Sequence, residues 1–221
     1  MKIRFSFLFL ILLVSGSLVS AQSTNLKLQA IPFKLEVLNE PVAVYTVKGD
    51  SLLLSAKGKT NLFASPSGHY NVQNAPMVLF HPDSSFVFCA KVGADLKAVY
   101  DVAALVFYQD SDYWGKFCFE NSVNKQTSIV SVINRIYSDD CNSMHIDDDY
   151  AYMAIIKKGL EMSFHYSRDG KNWEMIRNFR LETEESLKIG FAVHGSRGDG
   201  TQGQFSNIRY SSRVPDDLRS F

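Results

Sequence analysis

The chain has 221 residues, with 23 Lys plus Arg against 23 Asp plus Glu, so its formal charge is zero. That balance argues against nucleic acid, which asks for a clustered basic face, and against attraction to an anionic membrane. The length suits one sizeable core, and single β-sandwiches often reach roughly this size.

The first 21 residues read as a signal peptide. Lys2 and Arg4 form a short basic start, residues 5–14 are nearly all apolar, and Val19-Ser20-Ala21 fits the small-x-small rule for cleavage before Gln22. Ser15, Gly16 and Ser17 interrupt the apolar run before it reaches the about 20 residues a membrane span needs. Export to the periplasm or the extracellular space is expected. Lys2 and Arg4 would leave with the leader, so the remaining chain carries a net charge of −2.

Beyond the leader, apolar and polar residues alternate with a period of two. Phe33-Lys34-Leu35-Glu36-Val37 opens the series, and short β-rich runs follow at 42–47, 52–56, 77–80, 85–92, 102–108, 113–120, 129–137, 152–157, 162–167, 188–194 and 204–210, with partial alternation from Trp173 to Leu181. Clusters of Gly, Pro, Asn and Asp separate them, the spacing of an all-β sandwich. The segment 96–105 also fits a helix, because Leu96, Val99, Tyr100 and Ala103 recur at helical spacing. No linker or repeat divides the chain. One domain is expected over residues 31–210, followed by a polar tail at 211–221.

Cys89, Cys118 and Cys141 make an odd count, so at most one internal pair can form. Cys118 and Cys141 are the natural couple, and three small buried hydrophobes are the alternative. Neither a Cys-x-x-Cys nor a close His pair is present, which argues against zinc.

Three landmarks stand out: Trp114-Gly115-Lys116-Phe117-Cys118-Phe119-Glu120, Tyr137-Ser138-Asp139-Asp140, and Tyr166-Ser167-Arg168-Asp169-Gly170-Lys171-Asn172-Trp173. Together they resemble the concanavalin A-like domain family related to the yeast regulation-of-enolase protein. Thr60-Asn61-Leu62-Phe63 and Asn74-Ala75-Pro76 look like that family's early loop. Gly190-Phe191-Ala192 and Phe205-Ser206-Asn207-Ile208 look like its closing strands. The resemblance implies a two-sheet β-sandwich of jelly-roll type, with 96–105 an extended buried strand rather than a helix. It implies no established reaction. The family often carries an Arg where this chain has Ala154, which removes any role that depends on that Arg.

Asp169-Gly170 predicts a tight hairpin, with the Gly at positive φ, the Asp capping the turn amides and Trp173 anchoring the returning strand in the core. In the Trp114 run, residues two apart share a face. Phe117 and Phe119 point to the core, and Trp114, Lys116, Cys118 and Glu120 point away from it. On a concave sheet, a ring, an ammonium and a carboxylate in a row suit a sugar, whose CH face stacks while its hydroxyls bridge Lys and Glu. Asn134, His165 and His194 join Trp114, Lys116 and Glu120 as candidate ligand-binding residues, and Tyr108, Tyr113, Tyr137 and Tyr152 are further candidate platforms. His69 and His81 fall in loops. The Gly-rich run 195–200 lacks the Lys-Ser/Thr of a phosphate loop.

Three function classes remain open. A glycan-binding module needs only the platform and a few polar groups. A glycosidase needs two carboxyls, for which Glu120 is one candidate and Asp139 or Asp140 the other, yet the Glu-x-Asp-x-Glu strand of sandwich glucanases is absent, and His165 with Tyr166 matches no lyase signature. A non-glycan interaction domain is the third reading. No cofactor is expected. Calcium is the minor alternative, because 138–140 and 145–149 supply oxygen donors in what reads as an acidic loop, without the regular spacing or central Gly of an EF-hand.

Overall fold

The computed structural model describes residues 26–47 and 51–221. The expected signal peptide lies outside them. Two seven-stranded antiparallel sheets stack as a sandwich. Sheet A runs in the order β1 (Glu36–Leu38), β6 (Met77–Phe80), β15 (Lys188–Gly195), β8 (Asp101–Tyr108), β9 (Tyr113–Asn121), β10 (Thr127–Arg135), β11 (Tyr137–His145). Sheet B runs β14 (Glu174–Arg180), β13 (Glu161–Ser167), β12 (Tyr150–Lys158), β7 (Phe86–Ala94), β16 (Gly200–Ser211), β3 (Ser51–Lys57), β2 (Ala43–Val47). A separate hairpin joins β4 (Leu62–Ala64) to β5 (Asn71–Gln73).

Alternation decides what fills the space between the sheets. Phe117 and Phe119 of β9 and Leu105 and Phe107 of β8 point inward, and Phe88, Ile155, Phe164 and Phe205 answer from sheet B. Rings meet across the gap: Phe117 stacks on Phe164 at 5.1 Å, and Phe191 lies 4.7 Å from Phe205. Sheet A is also covered on its outer side. Leu62 and Ala75, on and beside the β4–β5 hairpin, share a second apolar cluster with Met77, Leu79, Val106, Trp114, Cys118 and Val130. Sheet A is thus buried on both faces over part of its area, which is why β8 is apolar at nearly every position.

Where β15 passes β6 the backbones approach closely. A Cβ on Gly190 would lie 1.9 Å from the Val78 carbonyl oxygen, a backbone atom that cannot rotate away. Gly190→Ala is therefore expected to destabilise the protein by about 1–3 kcal/mol or more, read as a lowered midpoint in chemical denaturation. An unchanged midpoint would mean that the strands separate freely there.

Several sequence expectations are corrected. The extended strand expected over 96–105 holds only from Asp101, where β8 begins, whereas 96–100 forms a loop that ends in a turn and not the alternative helix. The supposed acidic loop at 138–140 is instead the edge strand β11, whose polar residues are tolerated because one side of it meets solvent. Trp173 is half-buried, but it packs outside the interior, 5.0 Å from the Phe221 ring. Beyond β16 the tail lies back on sheet B: Leu218 is buried and Phe221 stands edge-on to His165 at 5.4 Å. All three cysteines are free, with Cys141 exposed. Cys118 and Cys141 flank β10 opposite Val130 and Ser131, neighbours that point to opposite faces, so the two thiols do not meet.

The Asp169-Gly170 hairpin forms as expected. Gly170 has φ 72°, and Asp169 Oδ1 accepts from the Lys171 and Asn172 amides at 2.8 Å each. These bonds hold the Asp169 carboxyl far below the usual range.

Candidate functional site

Cross-strand register arranges the outer face of sheet A into rows. His194, Val102, Glu120 and Ser128 align in one, and Val106, Lys116, Val132 and Asp140 in another. Between them run Ala192, Ala104, Cys118 and Val130. The small side chains of that middle row keep the floor low. Lys116 reaches across them, and its Nζ donates to His194 Nε2 at 3.0 Å.

A cavity of about 480 Å³ opens above this floor, within the roughly 300–1000 Å³ span of ligand pockets. Lys116, Glu120, Val130, Val132, Asp140 and His194 form its base. The hairpin side supplies Asn61, Phe63, Ser65 and Tyr70, and the opposite wall Tyr100, Ser196 and Arg197. Asn61 Nδ2 donates to the Tyr70 hydroxyl at 3.1 Å, which orients that ring. Tyr100 sits at φ 65°, a left-handed conformation uncommon for a bulky residue. The turn before it is held by buried Asp101, whose Oδ2 accepts from the Lys97 and Ala98 amides. The Arg197 guanidinium lies over the Tyr100 ring, 5.1 Å from its centroid.

Burial shapes the protonation of the base. A lysine ammonium only donates, so His194 Nε2 accepts and the imidazole is the neutral tautomer protonated at Nδ1, where Ser196 Oγ lies at 3.3 Å. Burial first, and then the Lys116 charge, hold His194 well below the ordinary imidazole value. Burial pushes the Glu120 carboxyl up, Lys116 pulls it down, and Asp140 pushes it up further. The buried Cys118 thiol is pushed up to about 12, so it is an inert floor residue rather than a nucleophile.

Four of the eight candidate residues come together here: Lys116, Glu120, Asp140 and His194. The other four stand elsewhere. Trp114 shares the outward face, as alternation requires, but the hairpin buries it completely and its Nε1 donates to Gln73 Oε1 at 3.1 Å. It is an anchor for the pocket wall, not a platform for a ring. Asn134 is a structural relay. It donates to the Asp112 carbonyl and accepts from Ser138 Oγ, which in turn accepts from the Ala64 amide of the hairpin. His165 lies in sheet B, bonded to Ser163 Oγ at 2.8 Å, and burial lowers it to about 4. Asp139 points away from the pocket and pairs with Arg177 at 2.8 Å.

That same dispersal bears on calcium. Among the described residues no group of three or more His, Cys, Asp or Glu is placed to hold a metal ion, and Asp148 is engaged by Arg168. Sequence reasoning missed Phe63, Tyr70, Tyr100, Ser196 and Arg197. The first two flank a Ser-Pro-Ser-Gly turn that signals a hairpin, but nothing in the spacing says where that hairpin lands.

Fold and site define the class: an all-β sandwich with a polar, aromatic-walled pocket on one sheet's outer face. The chain belongs to the DUF1349 family, a family described as of unknown function, whose profile matches residues 37–213. A search of curated proteins returns no match. Among solved structures, the chain is similar to a functionally unknown protein from Saccharomyces cerevisiae, with TM-score 0.73, 16% identity and coverage of 82% of this chain and 97% of that one. It is also similar to the GH43 protein BlXynB from Bacillus licheniformis, with TM-score 0.64, 17% identity and coverage of 81% of this chain but 37% of the other. The VIP36 exoplasmic/lumenal domain, in a Ca2+/Man3GlcNAc-bound form, matches at TM-score 0.50 and 10% identity over 83% of this chain and 85% of that one. At these identities the likeness is one of fold, and the chain spans little more than a third of the GH43 protein.

Proposed function

We propose that this is an exported sandwich of concanavalin A-like kind that binds a carbohydrate in the pocket on sheet A. The observation that carries the reading is the pocket's composition. The rings of Phe63, Tyr70 and Tyr100 stand around Lys116, Glu120, Asp140 and His194 in one cavity. Rings take the CH faces of a sugar, and the polar groups take its hydroxyls. The carbohydrate-related proteins among the structural neighbours support this choice of ligand class.

Retention of the purified protein on a panel of polysaccharides tests it. Tyr70→Ala, at a half-exposed ring, is expected to weaken binding about tenfold or more, since loss of an aromatic anchor costs on the order of 1–3 kcal/mol. Absence of retention on every glycan, or full affinity in that variant, would sink the proposal.

A cleaving enzyme is the second reading, favoured by two carboxyls with different environments in one pocket: buried Glu120, pushed up, and exposed Asp140. Glu120→Gln separates the two. A binding module keeps releasing no reducing ends, whereas a glycosidase that uses Glu120 as its acid loses turnover by orders of magnitude while still binding.

A further inference from the structure

We propose that the ligand of this pocket is an acidic saccharide, whose anionic group sits on Lys116 Nζ and is met from the rim by Arg197. The proposal rests on the carbohydrate reading above and narrows it.

Lys116 is a cation buried to 3% exposure in the base of an open cavity. Its ammonium has three protons to donate, and one goes to His194 Nε2. That partner is a neutral ring, which accepts a hydrogen bond without cancelling the charge. Among the described residues, no carboxylate lies within ion-pair distance of Lys116, and the Phe63 ring stands 6.0 Å away. The second deeply buried lysine shows what a satisfied one looks like. Lys157, 1% exposed, pairs with Glu184 Oε1 at 2.8 Å and also donates to the Ser84 carbonyl. A buried ammonium without a counter-charge is costly to hold. Here the two N–H directions left over belong to a side chain that lines the cavity, so an arriving anion supplies what the fold does not.

Arg197 adds the second half. It is exposed, rests on Tyr100 and, among the described residues, pairs with no acid. Its fork is free to take a carboxylate or sulfate in bidentate fashion. Two acids share the pocket. Glu120 is pushed up by burial and pulled down by Lys116, and its carboxyl oxygens can accept from sugar hydroxyls. Asp140 stands on the exposed edge strand, in the Lys116 row but beyond ion-pair distance, where water and sugar hydroxyls solvate it. Neither forms an ion pair with Lys116, which acts on Glu120 only through space. The shared chemistry is therefore an anionic substituent on a sugar, either a uronic acid carboxylate or a sulfate ester.

Calorimetric titration of the purified protein tests this with three probes of equal length: an oligogalacturonide, its fully methyl-esterified counterpart, and a sulfated galactan oligomer. One or both acidic probes are expected to bind at least about tenfold more tightly than the ester, as a charge-assisted contact should, and added salt should narrow the gap. A gap only for the oligogalacturonide marks a carboxylate site, and a gap only for the galactan marks a sulfate site. Lys116→Met is expected to reduce the acid-over-ester ratio to within about threefold. Arg197→Gln, on an exposed loop where folding is not at stake, should reduce it partially. Equal affinity for acid and ester, or an undiminished ratio in both variants, overturns the inference. In that case ester binding that Tyr70→Ala abolishes leaves the carbohydrate reading standing, whereas no binding of any probe removes both.

Discussion

Trp114→Ala is expected to cost about 3–5 kcal/mol of stability, the usual range for emptying a buried tryptophan site. The indole is fully buried in the outer cluster, and its Nε1–H is used by Gln73. Removing it leaves a cavity beneath the β4–β5 hairpin and strips that hairpin of its deepest contact with β9. Because the same hairpin carries Phe63 and Tyr70, ligand affinity should fall with stability. Trp114→Phe, which keeps most of the volume and loses only the hydrogen bond, should recover the larger part of both. Urea titration checks this. A cost below about 1 kcal/mol for the alanine variant would show that the hairpin is not held from underneath.

Acidification should destabilise the protein, and His165 contributes over a window that its folded value defines. Its folded value is about 4, against an ordinary 6.5, because burial disfavours the imidazolium. Between those values the unfolded chain binds the proton and the folded chain does not. Stability is therefore fully present above about pH 6.5 and is lost as pH falls toward about 4, by roughly 3 kcal/mol. In a chain of this size that is a fall of roughly 6–12 °C in Tm. His194, lowered by burial and by Lys116, acts in the same direction. Glu120 and Asp101 act against it, since burial raises both and their folded forms take up protons first. His165→Gln should flatten the profile between about pH 6.5 and 4.5. A melting temperature that is level across that range in the unmodified protein would show that His165 is solvated.

The contrast between the two faces of β9 shows what a single chain of letters can decide. Period-2 alternation was enough to send Phe117 and Phe119 inward and Lys116, Cys118 and Glu120 outward, because a strand's pleat leaves no other choice. The same physics made the Asp169-Gly170 turn and the all-β class legible from residue types alone. Alternation names a face, however, and says nothing of what covers it. Whether Trp114 would be a sugar platform or a buried anchor depended on where residues 62–73 fold back, and those contacts are long-range in sequence. The hairpin covers the Trp114 end of the row and leaves the Lys116–Glu120 end open, which turned one apparent site into half a core and half a pocket. His165 met the same fate from the other side: it shares a face with Ser163 and Ser167 rather than with the inward Phe164, and the returning C-terminal ring of Phe221 closes over it. Phe63, Tyr70, Tyr100 and Arg197 were invisible as site residues because each belongs to a different segment, and only the stacking of segments above sheet A makes them neighbours. The sequence by itself therefore determined the fold class, the inward and outward faces and the outward placement of Lys116 and Glu120 on one strand. Tertiary packing alone decided which part of the outward face stays open, since burial is a property of what lies opposite.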